Sequence, residues 1–455
     1  MKKMNRKIYL TVILIICIML VTTSLIYCMR LLKQKENNED YDFLKDKTIV
    51  RVWLPKDKIS STRGYQAKKF NDEHKDIYIM LGLFDNRDYD NILKTSLAAE
   101  KGPDIMMYSF FELIKENKIE NLNNMNLNKD NIREGDFVYY NKIPVGVRLY
   151  EENVKLVWNK EIFKKAGLEE ERPPKTWNEL VEYSKKIKEK CPGVIPFQFP
   201  IKYYEDFKTS IGEPSVNLDN IYTSFWNYEK GEYNFNSAEQ ILNIYRNMYK
   251  EGLINKDFDK KGKNDLRTDF YKGNIAMHLS TFEDKGYFSN IVPLNFEIGI
   301  CNLPEISGSK GNKSYYLSNS NFLSISASVM EKSDKEKEAV NEVFNWLISQ
   351  EVNKEVLKTR MALSPTLKNT DIKGDTYREY NDVYNCETET LDPSIFISRN
   401  SEKTMEVCID AIKGKKSIEE SIKNLNSMYK EYCNFTVKYR KIQLDSFKND
   451  KNKGS

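Results

Sequence analysis

The sequence has little histidine and few cysteines for its length. Its 455 residues include two histidines, His74 and His278, and seven cysteines. A histidine-rich metal site is therefore excluded, and no two cysteines stand in a C-x-x-C pair. We expect no metal and no cofactor. Beyond the N-terminal region the cysteines should be small buried side chains, at least one of them a free thiol: Cys191, Cys301, Cys386, Cys408 and Cys433.

The motifs of common enzyme classes are also missing. The chain contains no G-x-S-x-G, no H-E-x-x-H and no phosphate-cradling glycine loop. Glycosidases need two carboxylates about 5–10 Å apart, and none of the 67 acidic residues stands in a recognisable catalytic motif. We therefore expect no enzyme, and a glycan-active enzyme is kept only as an alternative.

The chain has no excess of charge of one sign. Its 71 basic and 67 acidic residues leave a net charge of +4, which argues against a nucleic-acid partner. A hydrophobic fraction of 40% is enough to fill a core. Because 455 residues exceed what one core usually organises, we expect two lobes or domains.

Long hydrophobic runs are absent except at the N-terminus. A nearly uninterrupted apolar run extends from Ile8 to Met29 and follows four basic residues. About 20 apolar residues span a bilayer, whereas the core of a secretory signal is on the order of 7–15 residues. Since basic flanks stay in the cytoplasm, everything after Arg30 should lie outside the cell. We predict an uncleaved signal anchor in residues 1–34, then a polar spacer in residues 35–47.

Cleavage or lipidation at Cys28 remains the alternative to an uncleaved anchor. Cys28 lies where the acylated cysteine of a lipoprotein would lie. Lipoprotein signals, however, have a small residue immediately before that cysteine, and Tyr27 is not small. Both the uncleaved and the lipidated form would be anchored in the cell membrane with the remaining chain on the extracellular face.

From Thr48 onward, strand patterns alternate with helix patterns. The run TIVRVWL is a compact strand, RGYQAKKFNDEHKD has helical spacing, and IYIMLGLF is a second strand. This order predicts βαβ units and a mostly parallel sheet with helices on both faces. Ligands bind outside the carboxyl ends of such strands, so the loops after Leu54, Phe84 and Tyr108 are candidate sites.

Several residues have predicted structural roles. Thr176 and Glu179 form a capping-box pattern at the start of a helix. Trp158 and Trp177 should pack in the core, and Asp104 in the GPDI motif should be a structural hydrogen-bonding residue. The charged tail, residues 441–455, is expected to be frayed.

The order of these motifs resembles a known family. From Thr48 to about Tyr432 the chain is similar to the extracellular solute-binding proteins of ABC importers, in the sugar-binding family that includes maltose-binding protein. The resemblance is carried by TIVRVW, KKFNDEH, GPDI, WNKEIFKKAGL, PPKTWNEL, FYKGNIAM, NLPE, FLSIS, VFNWLIS and GKKSIEESIKNLN.

The resemblance implies an α/β, two-lobed, periplasmic-binding-protein-like clamshell with crossing hinge strands. The first lobe would comprise residues 48–151 and a return in residues 301–322. The second lobe would comprise residues 152–300 and 323–440. The crossings would fall near Glu151, Ile300 and Leu323.

The family mechanism is capture of a small solute in the interlobe cleft with hinge closure. The resemblance thus implies a monomer that delivers a solute, expected to be a carbohydrate, to the permease subunits of an ABC importer. A membrane-tethered sensor that reports to a signalling kinase is the alternative with the same fold. The solute could also be a polyol, a small peptide or a phosphorylated sugar held by Arg148 or Arg399.

We expect the ligand contacts to come from loops at the cleft edge that are rich in aromatic and amide side chains. A sugar needs flat aromatic surfaces for its C–H face and carboxylates or amides for its hydroxyls. The candidates are Tyr108, Phe110, Phe111, Arg148, Glu151, Glu152, Gln198, Tyr203, Tyr204, Phe282, Glu283, Arg399 and Ser401.

Two departures from the family pattern concern these candidates. Phe110 and Phe111 stand where relatives often have a polar contact, which weakens a direct transfer of maltose-like recognition. Phe282 and Glu283 stand where many relatives have a stacking tryptophan, so a long oligosaccharide is a weaker expectation than a small solute.

Overall fold

The computed structural model describes most of the chain after residue 43. The described residues are 44–108, 111–149, 152–216, 220–307, 314–315, 322–364, 367, 370, 372–381, 386–387, 389, 391–393 and 401–448. The predicted anchor, most of the spacer, and the candidates Phe110, Glu151 and Arg399 lie outside them. Within them, no helix is long and apolar enough to span a bilayer.

Fourteen strands are present in the described residues. They are β1 Thr48–Pro55, β2 Ile77–Phe84, β3 Ile105–Tyr108, β4 Phe137–Tyr140, β5 Ile143–Val147, β6 Val154–Asn159, β7 Ile195–Gln198, β8 Trp226–Asn227, β9 Glu232–Tyr233, β10 Ile275–Thr281, β11 Ile298–Cys301, β12 Ser314–Tyr315, β13 Phe322–Ile325 and β14 Cys386–Glu387.

The helices surround two larger sheets. The α-helices are α1 Ser60–Glu73, α2 Asn86–Ala98, α3 Phe111–Lys115, α4 Lys160–Lys165, α5 Trp177–Lys190, α6 Tyr204–Phe207, α7 Glu213–Ser215, α8 Ala238–Lys250, α9 Lys263–Tyr271, α10 Asp284–Gly286, α11 Asp334–Leu347, α12 Gln350–Lys358, α13 Ser401–Ile412 and α14 Ile418–Arg440. Two π-helical turns, Lys208–Gly212 and Tyr287–Ile291, continue α6 and α10.

The first lobe is built on a six-stranded sheet in the order β2-β1-β3-β13-β5-β4. Strand β1 pairs in parallel with β2, from Thr48 opposite Ile77 to Pro55 opposite Phe84, and in parallel with β3. Strand β13 is antiparallel to both β3 and β5. The carboxyl ends of β1, β2 and β3 therefore meet at one edge, as the βαβ pattern predicts.

The second lobe is built on a four-stranded sheet in the order β11-β6-β10-β7. Strand β10 is parallel to β7 and antiparallel to β6, and Thr281 at its end pairs with Val154 at the start of β6. The start of β6 and the end of β10 therefore lie at the same edge. This register brings residues far apart in sequence to one side of the lobe.

One predicted lobe boundary is wrong. The expectation placed residues 323–440 in the second lobe, but β13 lies in the first sheet and α11 packs on β1. Their apolar residues share one buried core with β1 and α1: Val50, Val52, Phe70, Leu323, Val343 and Phe344. Helices α13 and α14 do pack on α8 of the second lobe. The chain thus stays in the first lobe longer than its helical pattern alone indicates.

The first part of the C-terminal tail is docked and not frayed. Ile442 and Phe447 are buried, and the indole Nε1 of Trp226 donates to the Phe447 carbonyl at 3.0 Å. The ring of Phe447 also lies 6.3 Å from that of Tyr140 in the first lobe. The expectation of a frayed tail is therefore wrong for residues 441–448, because the apolar side chains of Ile442 and Phe447 are buried there.

The local packing predictions are confirmed, except that only the Thr176 half of the predicted capping box forms. Thr176 Oγ1 accepts a hydrogen bond from the Glu179 N–H at 3.1 Å, although the Glu179 carboxylate accepts from Lys175 N instead of closing the box on Thr176. Trp158 and Trp177 are buried. The carboxylate of Asp104 accepts from Arg51 N at 2.8 Å and pairs with Lys332 at 2.6 Å, so its role is structural.

The cysteines with described side chains behave as expected. Cys191, Cys408 and Cys433 are buried free thiols, and Cys301 is a half-buried one. Burial raises the pKa of the Cys301, Cys408 and Cys433 thiols to about 12, so all three stay protonated at neutral pH.

Candidate functional site

Three loops bring charged side chains together where the two lobes meet. Lys58 follows β1 of the first lobe, Glu152 precedes β6, and Glu283 follows β10. Asp57 shapes the first loop, because its carboxylate accepts from Ile59 N at 2.9 Å. The register of β6 and β10 places Glu152 and Glu283 on the same edge of the second sheet.

Lys58 forms an ion-pair bridge between the lobes. Its ammonium contacts a carboxylate oxygen of Glu152 and lies 3.9 Å from Glu283 Oε2. The other oxygen of Glu152 lies 3.3 Å from the ammonium of Lys263. The side chains of Lys58, Glu152 and Lys263 are 21%, 15% and 24% exposed, so water still reaches these pairs.

Helix α9 supplies the remaining cations. Lys263 is its first residue and Arg267 follows one turn later, so both lie on one helix face. Arg267 Nη2 donates to Glu283 Oε2 at 3.1 Å, and Arg267 Nε pairs with Asp284. Three cations thus meet three carboxylates in what we name the bridging cluster: Lys58, Lys263, Arg267, Glu152, Glu283 and Asp284.

The electrostatics of the bridging cluster keep Glu152 and Asp284 ionised. Burial alone would raise the pKa of Glu152, but the charges and hydrogen bonds of Lys263 and Lys58 outweigh burial and lower that pKa to about 2. The pKa of Asp284 is also lowered, because Arg267 and His278 overcome the opposing effect of burial. At neutral pH the cluster carries balanced charge.

An exposed aromatic ring lies beside the bridging cluster. Tyr203 is 55% exposed and directly precedes α6, where its N–H donates to Asp206 Oδ2 at 3.0 Å. A Cβ placed on Gly262 would come within 3.0 Å of the Tyr203 ring, so the ring lies against the residue before Lys263. The ammonium of Lys202 lies 5.1 Å from the centre of the same ring, so the partly exposed ring lies close to two lysines, of which Lys263 belongs to the bridging cluster.

A groove of about 720 Å³ begins at the same tyrosine. One wall includes Tyr203 and Tyr204, and the opposite wall is α13, which begins at Ser401 and supplies Glu402 and Met405. Tyr204 is half-buried, and burial raises the pKa of its phenol. The remaining lining residues are Lys202, Glu205, Asp259, Glu406, Ile409, Asp410, Lys413 and Lys415.

Two candidates lie in the interior of the second lobe, which corrects the expectation that they contact a solute. Phe282 is fully buried, and its ring packs edge-on against that of Tyr380 at 6.3 Å. Gln198 is buried, donates to the Phe199 carbonyl and accepts from Asn255 N, each at 3.2 Å. Both residues lie at the end of a strand, but their side chains are buried in the core of the lobe and are not exposed at the cleft.

Arg148 is buried where β5 meets the C-terminal segment. Its guanidinium donates to the Glu389 carbonyl, and the Glu389 carboxylate accepts from Thr223 Oγ1 at 3.0 Å. Burial raises the pKa of Glu389, whereas nearby Glu389 and Asp392 raise the pKa of Lys208 against the effect of burial. Arg148 is therefore engaged by protein groups in this conformation.

The other candidates have only their backbone positions described. Tyr108 ends β3, Phe111 begins α3 and Ser401 begins α13, and their side chains lie outside the described part of the chain. Sequence reasoning named Glu152, Glu283 and Tyr203 but missed Lys58, Lys263 and Arg267. Lys58 lies in the loop after Leu54, which the sequence marks as a candidate site without singling out a residue. For Lys263 and Arg267 the available signal is the K-x-x-x-R spacing at the start of α9, which places both side chains on one helix face.

Within the residues that the structure covers, no group of three or more histidine, cysteine or acidic side chains could hold a metal ion. The carboxylates of the bridging cluster are instead paired with lysine and arginine side chains of the same chain. Its chemistry is that of hydrogen bonding and ion pairing.

The chain matches one family pattern and several proteins of known structure. Residues 56–354 match the family described as bacterial extracellular solute-binding protein. Curated relatives include the sn-glycerol-3-phosphate-binding periplasmic protein UgpB of Escherichia coli and of Shigella flexneri, each 32% identical over 151 residues, 32% of this chain and 32% of theirs. The aligned segment thus spans about a third of the length of these relatives.

Two solved structures illustrate the likeness in fold. The cyclic alpha-maltosyl-1,6-maltose binding protein from Arthrobacter globiformis is 16% identical with a TM-score of 0.68, over 85% of this chain and 99% of that one. The sugar-binding protein MalE from Xanthomonas citri is 18% identical with a TM-score of 0.68, over 87% of this chain and 100% of that one. At these identities the likeness establishes the periplasmic-binding-protein fold.

Proposed function

Because the chain belongs to the bacterial extracellular solute-binding protein family, we propose that it captures a small carbohydrate between its lobes for an ABC importer. The observation that carries this proposal is the contact of Lys58 with Glu152 across the lobes, beside the exposed ring of Tyr203. A solute bound there would touch both lobes at once. Contact with both lobes is what couples binding to hinge closure.

The side chains around the contact suit a polyhydroxylated solute. The ring of Tyr203 can stack on the C–H face of a sugar, and the carboxylates of Glu152 and Glu283 can accept hydrogen bonds from hydroxyls. Lys58 and Lys263 can donate to the remaining oxygens. A sugar would thereby take over contacts that Lys58 and Glu152 make with each other in the solute-free protein.

The charge balance favours a neutral solute over a phosphorylated one. Lys58, Lys263 and Arg267 each have a carboxylate partner in the bridging cluster. A phosphate would have to displace those carboxylates and leave them close to its own negative charge. For this reason sn-glycerol-3-phosphate, the ligand after which the UgpB relatives are named, is the second candidate and not the first.

We further propose that the protein works as a monomer on the outer face of the cell membrane. The apolar run Ile8–Met29 supports a membrane anchor, and the family supports an extracellular binding domain that hands its solute to permease subunits. The sensor and glycan-active alternatives gain no support from the comparisons.

Calorimetry on Tyr203→Ala with a neutral sugar tests the site. Losing the stacking face should weaken binding about tenfold or more, equal to roughly 1.4 kcal/mol. Tyr65→Ala is the matched control, because Tyr65 is 69% exposed on α1 of the first lobe, away from the second-lobe edge that carries Tyr203. Equal sugar affinities of the Tyr203→Ala protein and the wild type would contradict the proposed site.

A further inference from the structure

The end of helix α14 carries an exposed aromatic pair. Phe435 and Tyr439 are 58% and 62% exposed, one turn apart, and their ring centroids are 4.4 Å apart. The ammonium of Lys438 lies 5.3 Å from the centre of the Tyr439 ring, and Lys441 is exposed just beyond the helix. We name these four residues the basal ledge.

The basal ledge is anchored at the first lobe. Arg440 pairs with Glu112 of α3 at 2.9 Å, and Lys115 donates to the Arg440 carbonyl at 2.6 Å. Three residues after Lys115, the carbonyl of Lys118 accepts from the N–H of Ala327, just after β13. Since β13 is antiparallel to β3, this contact lies at the edge of the first sheet where β3 begins.

A second contact places the tail at the same edge. Phe447 packs near Tyr140 at the turn between β4 and β5, where Lys142 and Ile143 are exposed. Strand β5 runs in the direction of β1, because both β5 and β3 are antiparallel to β13 and β3 is parallel to β1. The turn before β5 and the start of β1 at Thr48 therefore share one edge of the sheet.

This edge is also where the chain enters from its predicted membrane segment. Thirteen residues separate Arg30 from Leu44, the first described residue, and β1 begins four positions later at Thr48. The 14 steps from residue 30 to residue 44 reach at most about 50 Å when fully extended. A short tether keeps the ledge at high effective concentration near the bilayer, so that even a weak contact would form.

The chemistry of the ledge fits an anionic lipid surface. Aromatic side chains favour the headgroup level of a bilayer, and lysines near it are attracted to anionic lipids. Of the carboxylates close by, Glu112 is paired with Arg440 and Asp445 with Lys448, while Glu116 and Glu431 are exposed. Against these two carboxylates stand three exposed lysines, Lys115, Lys438 and Lys441, so the edge is net positive.

We propose that the basal ledge docks on the anionic outer surface of the membrane that holds the N-terminal segment, and so orients the interlobe cleft away from the lipid. The inference rests on the anchor proposed above. It adds a second contact with the membrane that the apolar run alone does not provide.

The test uses the full chain reconstituted in vesicles, with Asn434→Cys carrying a polarity-sensitive fluorophore. Asn434 is exposed next to Phe435, and the cysteines with described side chains are buried or half-buried. Lipids with a spin-labelled headgroup should lower the emission about twofold in phosphatidylglycerol vesicles and much less in phosphatidylcholine vesicles. Phe435→Ser with Tyr439→Ser should remove the quenching, and a label on Lys68→Cys, at an exposed position of α1, should show none.

The other outcomes are equally decisive. Equal quenching at positions 434 and 68, or quenching that survives the double substitution, would refute docking of the basal ledge on the membrane. An emission change that follows protein density and not lipid charge would assign the surface to a second copy of the chain and also overturn it. Absence of the full chain from the vesicle fraction would refute the anchor itself, which separates that failure from failure of the ledge.

Discussion

Removing the charge of Glu152 is the sharpest perturbation of the lobe interface. Glu152→Gln keeps the shape of the side chain but leaves Lys58 and Lys263 facing a neutral amide. The pKa of Glu152 falls from 4.5 to about 2 in the folded protein, which corresponds to about 3 kcal/mol at roughly 1.4 kcal/mol per pH unit. Since water reaches these side chains, we expect the substitution to cost about 1–3 kcal/mol at pH 7.

The sign of the pH dependence follows from the lowered pKa. The stabilisation is fully present above about pH 4.5, where the carboxylate is ionised even in the unfolded chain, and is lost as the pH falls toward 2. Urea unfolding should therefore separate the wild type from Glu152→Gln at pH 7, and the two should converge near pH 2. A stability difference that stays constant over this range would refute the reasoning.

A matched control distinguishes the bridge from an ordinary ion pair. Asp269 pairs with Lys261 at 2.8 Å with side chains 20% and 25% exposed, close to the values for Glu152 and Lys58, but both partners belong to the second lobe. Small-angle scattering of the solute-free protein should show a larger radius of gyration for Glu152→Gln and no change for Asp269→Asn. Equal profiles for the two variants would contradict the bridging role.

Two further predictions concern the interior and the anchor. Phe282→Ala should lower the free energy of unfolding by about 3–5 kcal/mol, because it opens a cavity beside Tyr380; a loss of solute affinity without a loss of stability in urea unfolding would instead return Phe282 to the binding site. Metabolic labelling with a fatty acid should give no incorporation that Cys28→Ser removes, because Tyr27 is too large for lipoprotein processing; label that depends on Cys28 would show lipidation.

Local features of the fold could be predicted from the sequence. The cap at Thr176 and the buried Trp158 follow from neighbouring residues, since a helix start and a strand-to-helix junction are specified within a few positions. The parallel strands β1 to β3 follow from the alternation of apolar runs and helix-period segments.

Contacts between distant residues could not be predicted in the same way. Lys58 and Glu152 are 94 positions apart, and Lys263 and Glu152 are 111 apart, so no local pattern relates them. The burial of Phe282 depends on Tyr380, which packs on it from a later segment of the chain. The sequence of helices α11 and α12 predicts amphipathic helices, but only their packing on β1 and on α1 shows that they belong to the first lobe.

Thermal unfolding in the presence of candidate solutes tests the central claim most directly. If the protein captures a neutral carbohydrate between its lobes, at least one neutral sugar at about 100 times its dissociation constant should add about 2.7 kcal/mol to the free energy of unfolding. sn-Glycerol-3-phosphate, amino acids and short peptides should add less. Stabilisation by a phosphorylated or peptide solute, with none by any neutral sugar, would contradict the account.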